Sequence, residues 1–150
     1  MIRKALADDL HTVFEIVQTT IAEVYPHYYP AGAVHFFQEH HSTAHIAEDI
    51  AKGCVFLLCI GDVPVGTVTV NEYEINRLFV LPAFQGRGFG KRLMEFAESE
   101  ISVHYEFAEL SSSFSAQEMY LRYGYIPFEF RKIACQNGDW LCYSQMRKEL

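Results

Sequence analysis

Residues 75–102 read INRLFVLPAFQGRGFGKRLMEFAESEIS, and this stretch decides the fold. Its apolar first part predicts a strand that ends at Pro82, because proline has no amide hydrogen to donate within a sheet. The glycine-rich segment 85–90 follows, and apolar residues then recur at helical spacing up to Ser102. We therefore predict a strand, a glycine-rich loop and an amphipathic helix in direct succession.

The segments on either side predict an α+β fold. Upstream, the pattern predicts a strand over 2–5, a helix over 10–24 capped by Asp8, helices over 31–41 and 42–52 with Ser42 as a cap, and a hairpin of strands 54–60 and 63–72 about Gly61-Asp62. Downstream, it predicts a strand over 106–110, a helix opened by a capping box of Ser115 and Glu118, and strands 125–133 and 140–146 about Asn137-Gly138. This order is typical of helices packed on a mixed sheet.

Length and charge narrow the class of protein. The chain has 150 residues, which predicts a single domain over 1–150, and half of them are apolar, enough for a buried core. The 19 acidic residues outnumber the 12 basic ones, so the formal net charge is −7. Nucleic-acid-binding proteins usually carry the opposite sign, and we predict no nucleic-acid partner. An acidic surface is compatible with a cationic small molecule such as an amine.

The sequence predicts neither a membrane anchor nor a secretion signal. The longest apolar run, 54–60, is far shorter than the roughly 20 residues that span a bilayer. Charged residues at positions 3, 4, 8 and 9 interrupt any hydrophobic signal segment, which predicts a cytoplasmic protein. The four cysteines lack zinc-ribbon spacing, and we predict reduced thiols. A two-residue turn at Asn137-Gly138 would place Cys135 opposite Trp140.

The glycine-rich loop has the features of an anion site. In Gln85-Gly86-Arg87-Gly88-Phe89-Gly90 the glycines let a ligand approach the backbone, and the helix that follows presents free amides and its positive end. A diphosphate suits such a site. The spacing differs from that of a dinucleotide-binding fingerprint and of a Walker loop, so a plain glycine-rich turn is the alternative.

Two motifs in order carry a family resemblance. Val80-Leu81-Pro82 leads into Q-x-x-G-x-G at 85–90, and A-x-x-x-Y-x-x-x-G-[FY] follows at 116–125. The chain resembles the GNAT family of acetyl-CoA-dependent N-acyltransferases. The resemblance implies a three-layer fold, with a mixed central β-sheet flanked by helices on both faces. It also implies the transfer of an acetyl group from acetyl-CoA to a primary amine, with no metal.

Two interpretations of the function stay open. No cysteine stands beside a histidine in the motif region to form an acyl-enzyme, which favours direct attack by the amine. A non-catalytic sensor or regulatory module that binds CoA or acetyl-CoA would keep the same loop, although a candidate acid and base argue against it. The acceptor amine itself is left open.

The resemblance implies a set of cofactor-binding residues. Backbone amides from Gln85 to Lys91 would hold the CoA diphosphate. The backbone of 78–80 would pair with the pantetheine arm, and the Val80 N–H would lie near the thioester oxygen, where a fixed donor stabilises developing charge. The complete set is Leu78, Phe79, Val80, Gln85, Gly86, Arg87, Gly88, Phe89, Gly90 and Lys91.

The resemblance also implies the catalytic acid. Tyr120 matches the tyrosine that donates toward the departing CoA sulfur in this family. Tyr123 lies three residues on, on the same helical face, and is the rival donor.

A base must leave the amine neutral for attack. Glu74 is the leading candidate, because it lies six residues before Val80, the offset of the glutamate base in the histone-type branch of the family. Strand alternation predicts that Glu74 shares a face with Leu78 and Val80. Glu72, Glu109 or an ordered water relay are the alternatives.

The segment between the first helix and the second strand is rich in aromatic and histidine residues. This is where the family varies to build its acceptor pocket, and we expect five aromatic residues to shape that pocket: Tyr25, Tyr28, Tyr29, Phe36 and Phe37. Four histidines have spacings that allow a shared helix face: His35, His40, His41 and His45. No carboxylate or cysteine completes a metal site, so we predict surface or lid histidines.

Two further expectations concern the second half of the chain. Ser113 stands where the family commonly has asparagine, which leaves a contact to pantetheine open. The late strand 140–146 at a sheet edge would allow a homodimer.

Overall fold

The computed structural model describes residues 1–150 as seven strands and five α-helices. The strands are β1 (Ile2–Lys4), β2 (Val55–Ile60), β3 (Val63–Asn71), β4 (Glu74–Val80), β5 (Phe107–Ser112), β6 (Ile126–Ala134) and β7 (Trp140–Glu149). The helices are α1 (Leu10–Val24), α2 (Ala31–His40), α3 (Thr43–Ala51), α4 (Phe89–Ile101) and α5 (Gln117–Arg122). The predicted order of elements is confirmed. No helix combines the length and apolar character needed to cross a membrane.

All seven strands form one mixed sheet, in the order β1-β2-β3-β4-β5-β7-β6. β4 and β5 are parallel, and the other neighbouring pairs are antiparallel. β7 therefore lies inside the sheet, and the expectation that residues 140–146 form an edge is wrong. The edge belongs to β6, because the chain turns back and inserts β7 beside β5.

Strand β2 shows how alternation builds a core on each face of the sheet. Its residues Val55, Leu57 and Cys59 belong to the core formed with α1 and α3. Its residues Phe56 and Leu58 belong to the core formed with α4. Fully burying one such side chain stabilises the fold by about 1.5–3 kcal/mol. The sheet is thus covered on both faces, which confirms the three-layer fold.

A β-bulge interrupts β4. Phe79 pairs with Thr67 of β3, and Asn76 pairs with Thr69, so β4 uses one residue more than β3 over this stretch. Arg77 lies in the bulge with a φ of 44°, a left-handed value that is uncommon outside glycine.

The bulge reverses the alternation of side chains along β4. Ile75 and Val80 both belong to the core on the α4 face, although one is odd-numbered and the other even-numbered. Glu74 and Val80 therefore point to opposite faces of the sheet. The prediction that Glu74 shares a face with Leu78 and Val80 is wrong, because one inserted residue shifts the period of two.

β4 and β5 pair over a short length only. The ladder joins Glu74 to Glu109 and Ile75 to Leu110, and there the pairing ends. β4 continues along β3 while β5 continues along β7, so the two parallel strands diverge. From residues 76 to 80, the edge of β4 that faces β5 has no strand neighbour.

Helix α2 is docked between α1 and the tip of the β6–β7 hairpin. The side-chain amide of Gln18 donates to the carbonyl oxygens of Gln38 and His41, at 3.0 and 3.1 Å. The Gly32 N–H donates to Oδ2 of Asp139 at 2.8 Å. Both ends of α2 are therefore tied to other elements.

The sequence predicts Asp8 as the cap of α1 and Ser42 as the cap of α3. Ser42 caps α3 as predicted, its Oγ accepting from the His45 N–H at 3.4 Å. At α1 the residue before the helix is Asp9, preceded by a 3₁₀ turn, and its carboxylate accepts from the Leu6 N–H at 2.8 Å. No side chain caps α1, so the assignment of a cap to Asp8 is wrong.

The predicted capping box before α5 is not formed. The residue before α5 is Ala116, whose side chain cannot cap, and the Ser115 hydroxyl shares a hydrogen bond of 2.9 Å with the Ser113 hydroxyl. Glu118 instead pairs with Arg122 one turn on, at 2.5 Å.

The β6–β7 turn is longer by one residue than predicted. The Cys135 N–H donates to the Asp139 carbonyl at 2.8 Å, and residues 136–138 form the turn. Trp140 pairs with Ala134, so it does not oppose Cys135. All four cysteines are free thiols.

Candidate active site

The glycine-rich loop presents backbone amides at the start of α4. Gly86 and Gly88 have φ values of 73° and 80°, which favour glycine. The first helical hydrogen bond runs from the Arg92 N–H to the Gly88 carbonyl, at 3.1 Å. No side chain caps this end of the helix. The amides of residues 89–91 therefore have no partner within the helix, the arrangement that an anion requires.

The loop side chains have other roles. Nε2 of Gln85 donates to the Val80 carbonyl at 2.9 Å, which ties the loop to the end of β4. The Phe89 ring packs on the α4-side core. The Arg87 guanidinium lies over an aromatic ring, and Nζ of Lys91 is 3.5 Å from a carboxylate one turn on. The groups that this segment presents to a ligand are therefore mainly backbone amides.

The Val80 N–H faces the gap between β4 and β5. The Leu81 N–H donates to the Val65 carbonyl of β3 at 2.9 Å. Successive residues of an antiparallel strand turn their amides to opposite sides, so the amide of Val80 points away from β3. Its carbonyl is already bound by Gln85, and the Thr20 hydroxyl lies 3.4 Å from the same oxygen.

Two cavities meet at this gap. We call the one beside the glycine-rich loop the loop cavity; its volume is about 410 Å³, and its walls include Thr20, Val80, Gln85, Gly86, Gly88, Gly90, Met119 and Tyr123. We call the other the inner cavity; its volume is about 210 Å³, and its walls include Phe36, Phe37, His40, His41, Asn76, Arg77, Tyr120 and Tyr143. Both are lined by Tyr25, Leu78, Phe79 and Ala116. The diverging strands thus connect the glycine-rich loop to a mainly apolar chamber.

Three tyrosines stand near the junction of the two cavities. Tyr120 lines the inner cavity, its hydroxyl has no hydrogen-bond partner, and burial raises its pKa above the usual range. Tyr25 lines both cavities, and burial also raises its pKa. Tyr123 lines only the loop cavity. The structure therefore separates Tyr120 from the rival on its own helix and adds Tyr25 as a neighbour.

The five aromatic residues expected to shape an acceptor pocket divide into two groups. Tyr25, Phe36 and Phe37 line the inner cavity. Tyr28 is exposed, and the Tyr29 hydroxyl is used structurally, accepting from one backbone amide at 2.6 Å and donating to one carbonyl at 3.3 Å.

Comparison with known proteins identifies the family. The acetyltransferase (GNAT) domain family matches residues 24–150. The chain belongs to the GNAT family. The uncharacterized N-acetyltransferase YafP of Escherichia coli is 30% identical over 103 residues, a match that covers 67% of this chain and 63% of YafP. The chain thus spans less than two thirds of that relative.

Solved GNAT structures share the fold. A GCN5-related N-acetyltransferase from Rhodopseudomonas palustris has a TM-score of 0.91 at 22% identity, covering 100% of this chain and 95% of that one. PaiA N-acetyltransferase from Thermoplasma acidophilum, solved with coenzyme A, has a TM-score of 0.74 at 16% identity, covering 100% and 98%. The yncA protein of Salmonella typhimurium, solved with its cofactor acetyl-CoA, has a TM-score of 0.74 at 16% identity, covering 100% and 93%.

None of the three carboxylates proposed as a base lines the inner cavity of this GNAT chain. Glu74 is exposed at the start of β4. Glu109 is held by Arg147, whose Nε donates to it at 2.8 Å. Glu72 lies in the turn between β3 and β4 with a φ of 55°. The role of Glu74 as base stays a prediction.

A polar cluster around Arg77 was not predicted from the sequence; of its members, Arg77 and His41 line the inner cavity. Nη1 of Arg77 lies 2.5 Å from Oδ2 of Asp49 and 3.2 Å from the Thr69 hydroxyl. Nε of Arg77 donates to Nδ1 of His41 at 3.2 Å. Burial, with the positive charge of Arg77 adding to it, lowers the pKa of His41 to about 3, so this imidazole is neutral. The prediction of a surface or lid position is wrong for His41.

His40 lines the mouth of the inner cavity and fits the lid prediction better. Its ring stacks on Phe36, with centroids 6.0 Å apart and planes 9° from parallel. Neither ring nitrogen has a hydrogen-bond partner in the protein, and burial, with Arg77 and His45 adding to it, lowers the pKa of His40. No group of three or more His, Cys, Asp or Glu side chains in the chain could hold a metal ion.

Proposed function

We propose that this chain transfers an acetyl group from acetyl-CoA to a primary amine, which attacks the acetyl carbon directly and without a metal. One observation carries the proposal: the loop cavity and the inner cavity meet at Leu78 and Phe79, on the edge of β4 that lacks a strand neighbour. A cofactor arm that enters from the loop and an amine held in the inner cavity would reach the same point. Holding both reactants there supplies much of the rate acceleration.

The residues around the loop cavity fit coenzyme A. The unpartnered amides of 89–91 suit its diphosphate, and the positive charges of Arg87 and Lys91 add to the same region. The free edge of β4 from Leu78 to Val80 suits the amides of the pantetheine arm, as a further strand would. Coenzyme A in PaiA and acetyl-CoA in yncA support this assignment. Acetyl-CoA would supply the thioester carbonyl that the amine attacks.

The atoms of the transfer balance without a carrier on the protein. A bond forms between the amine nitrogen and the acetyl carbon, and the bond from that carbon to sulfur breaks. The amine gives up one proton to a base, and the electron pair of the broken bond stays with sulfur. The Val80 N–H, which faces the gap, would stabilise negative charge on the acetyl oxygen as the attack proceeds.

Tyr120 is the proposed donor to the departing sulfur. Because burial raises its pKa, the hydroxyl keeps its proton throughout the working pH range. A thiol has a reference pKa near 8.5, so full proton transfer from Tyr120 to the thiolate is uphill. Tyr120 therefore acts mainly by donating a hydrogen bond.

The proposed base is a group that lines the inner cavity. His40 meets this condition, carries no competing hydrogen bond on its ring, and is neutral near pH 7 because its pKa is lowered. Glu74, predicted from its spacing, lies outside the lining and would need a water relay to reach the amine. We propose His40, with Glu74 through water as the competing assignment.

Release of CoA tests the function. The purified protein is mixed with acetyl-CoA and a broad panel of amines, and free thiol is followed by a colorimetric reagent while calorimetry measures acetyl-CoA binding. We expect saturable release that depends on one class of amine. Tight binding of acetyl-CoA with no release across the panel would establish the sensor or regulatory module instead.

A further inference from the structure

The inner cavity is lined by no acidic side chain. Its lining includes Arg77, His40 and His41, while the carboxylate of Asp49 stands behind Arg77 and outside the wall. An ammonium group that leaves water needs carboxylates or other acceptors to replace its hydration. The cavity therefore suits a polyamine poorly, although the chain as a whole has a net charge of −7.

His41 presents one hydrogen-bond donor to this cavity. Nε of arginine always carries a hydrogen, so Nδ1 of His41 must be the acceptor in its 3.2 Å bond to Arg77. The neutral ring then carries its proton on Nε2. No protein atom accepts this proton, and His41 lines the cavity. Because Nδ1 is occupied, His41 is a donor toward a ligand and not a base.

The donor is held in place from several sides. The imidazole meets the Phe79 ring edge-on, with centroids 5.6 Å apart and planes 81° apart, and the His41 carbonyl accepts from Gln18. Arg77 is fixed by Asp49 and by its own bulge conformation. A left-handed φ at a non-glycine residue persists only where the surroundings hold it. The Nε2–H direction is therefore set before a ligand arrives.

We infer that the inner cavity takes a primary amine that carries a carboxylate on an aromatic or large aliphatic body, with the carboxylate accepting from Nε2 of His41. The inference rests on the proposed acetyl transfer and names the acceptor class for it. Phe36, Phe37 and Phe79 supply apolar surface for the body. Arg77 lines the same cavity beside His41 while its partner Asp49 lies outside the wall, so the near end of this ion pair is the positive one. Aromatic amino acids are the simplest members of this class.

Three amines test the class. Phenylalanine has the carboxylate and the ring, phenethylamine keeps the ring alone, and spermidine is a polycation. We expect phenylalanine to give the highest kcat/KM for CoA release. Phenethylamine equal to phenylalanine, or spermidine above both, would overturn the inference and leave the acetyltransferase intact.

Measuring amine binding directly tests the inferred ligand class independently of the proposed acetyl transfer. Calorimetry with the CoA-loaded protein should show phenylalanine binding, with phenethylamine and spermidine weaker by roughly 10-fold or more. If the three amines bound in this order but none was acetylated, the proposed acetyl transfer would be refuted and the inferred class of ligand would be supported. Equal binding of all three amines would refute the class.

Two substitutions at one position isolate the donor. His41→Asn keeps an acceptor near Nδ1 for Arg77 and loses the donor, whereas His41→Gln keeps a donor near Nε2 and loses the acceptor. We expect His41→Asn to lower the ratio of kcat/KM for phenylalanine over phenethylamine by roughly 10- to 100-fold, the range for a hydrogen bond to a charged group. His41→Gln should keep most of the ratio, and so should the exposed control His35→Asn. An unchanged ratio in His41→Asn, with unfolding and CoA binding intact, would contradict the role.

Discussion

Gly32→Ala should damage the inner cavity and spare the loop cavity. A Cβ at Gly32 would lie 2.3 Å from the Gln136 carbonyl oxygen and 2.7 Å from Oδ2 of Asp139, where ordinary contact begins at 3.4 Å. The start of α2 must therefore move by about 1 Å relative to the β6–β7 turn.

The magnitude follows from three contributions to the free energy of unfolding. Overpacking of a buried site lowers it by about 1–3 kcal/mol. Loss of the hydrogen bond from the Gly32 N–H to the Asp139 carboxylate lowers it by about 1.5–3 kcal/mol more. Alanine returns up to about 1 kcal/mol through its better helix propensity. We expect a net loss of about 1.5–6 kcal/mol.

The functional consequence is confined to the acceptor side. Helix α2 brings Phe36, Phe37 and His40 to the inner cavity, followed directly by His41, and it contributes nothing to the loop cavity. A displacement of about 1 Å can lower a rate by about 100-fold. We expect kcat/KM for the amine to fall by roughly 10- to 100-fold while the Kd for CoA changes by less than about threefold.

Urea unfolding, steady-state kinetics and calorimetry with CoA measure these three effects. Asp139→Asn weakens the same hydrogen bond without adding an atom and should lose about half as much stability. In unfolding alone, Gly90→Ala is the matched glycine control, because its Cβ would lie 3.6 Å from the nearest side-chain atom. If Gly32→Ala impaired CoA binding as much as kcat/KM for the amine, or changed neither, the conclusion that α2 shapes only the inner cavity would be refuted.

Further predictions concern single groups at the site. Tyr120→Phe should lower kcat by roughly 100-fold with CoA binding within about threefold; unchanged turnover would remove Tyr120 from the mechanism. His40→Gln should abolish the acidic limb in the pH profile of kcat/KM and Glu74→Gln should keep it, and the reverse pattern would assign the base to Glu74. The pKa of His41 is about 3 in the folded protein, against an ordinary 6.5. As the pH falls below 6.5, His41 is therefore protonated in the unfolded chain but not in the folded one. His41 should therefore contribute a stability loss of about 2 kcal/mol between pH 7 and 5 that His41→Asn lacks, measured as the difference between their urea unfolding curves.

Local signals in the sequence predicted the elements well. The alternation of 55–60 and the glycine-rich segment 85–90 each depend on neighbours along the chain, and the structure keeps both. The capping box failed for a local reason, because α5 begins one residue later than predicted and Ala116 precedes it in place of Ser115. The two-residue turn failed because the Cys135 N–H bonds to Asp139.

The wrong prediction for the direction of Glu74 came from a shift of one residue in the register of β4. Parity arguments count residues, and the bulge at Arg77 adds one that no local pattern announces. Asp49, which pairs with Arg77, lies 28 positions earlier in the chain, so their contact depends on how α3 packs on the sheet. The four histidines were a signal for this region, but their spacing alone could not show that His41 bonds to Arg77 while the His40 ring stays free of hydrogen bonds.

By itself, the sequence determined the order of elements, the glycine-rich loop before α4 and the family, because these depend on side chains and backbone preferences within a few residues of one another. The tertiary structure alone decided where Glu74 points and that His41 is a neutral donor. It also decided that Tyr25 and Tyr120 flank the meeting point of two cavities. Those properties depend on burial and on contacts between distant segments, which arise only when the helices close over the diverging strands.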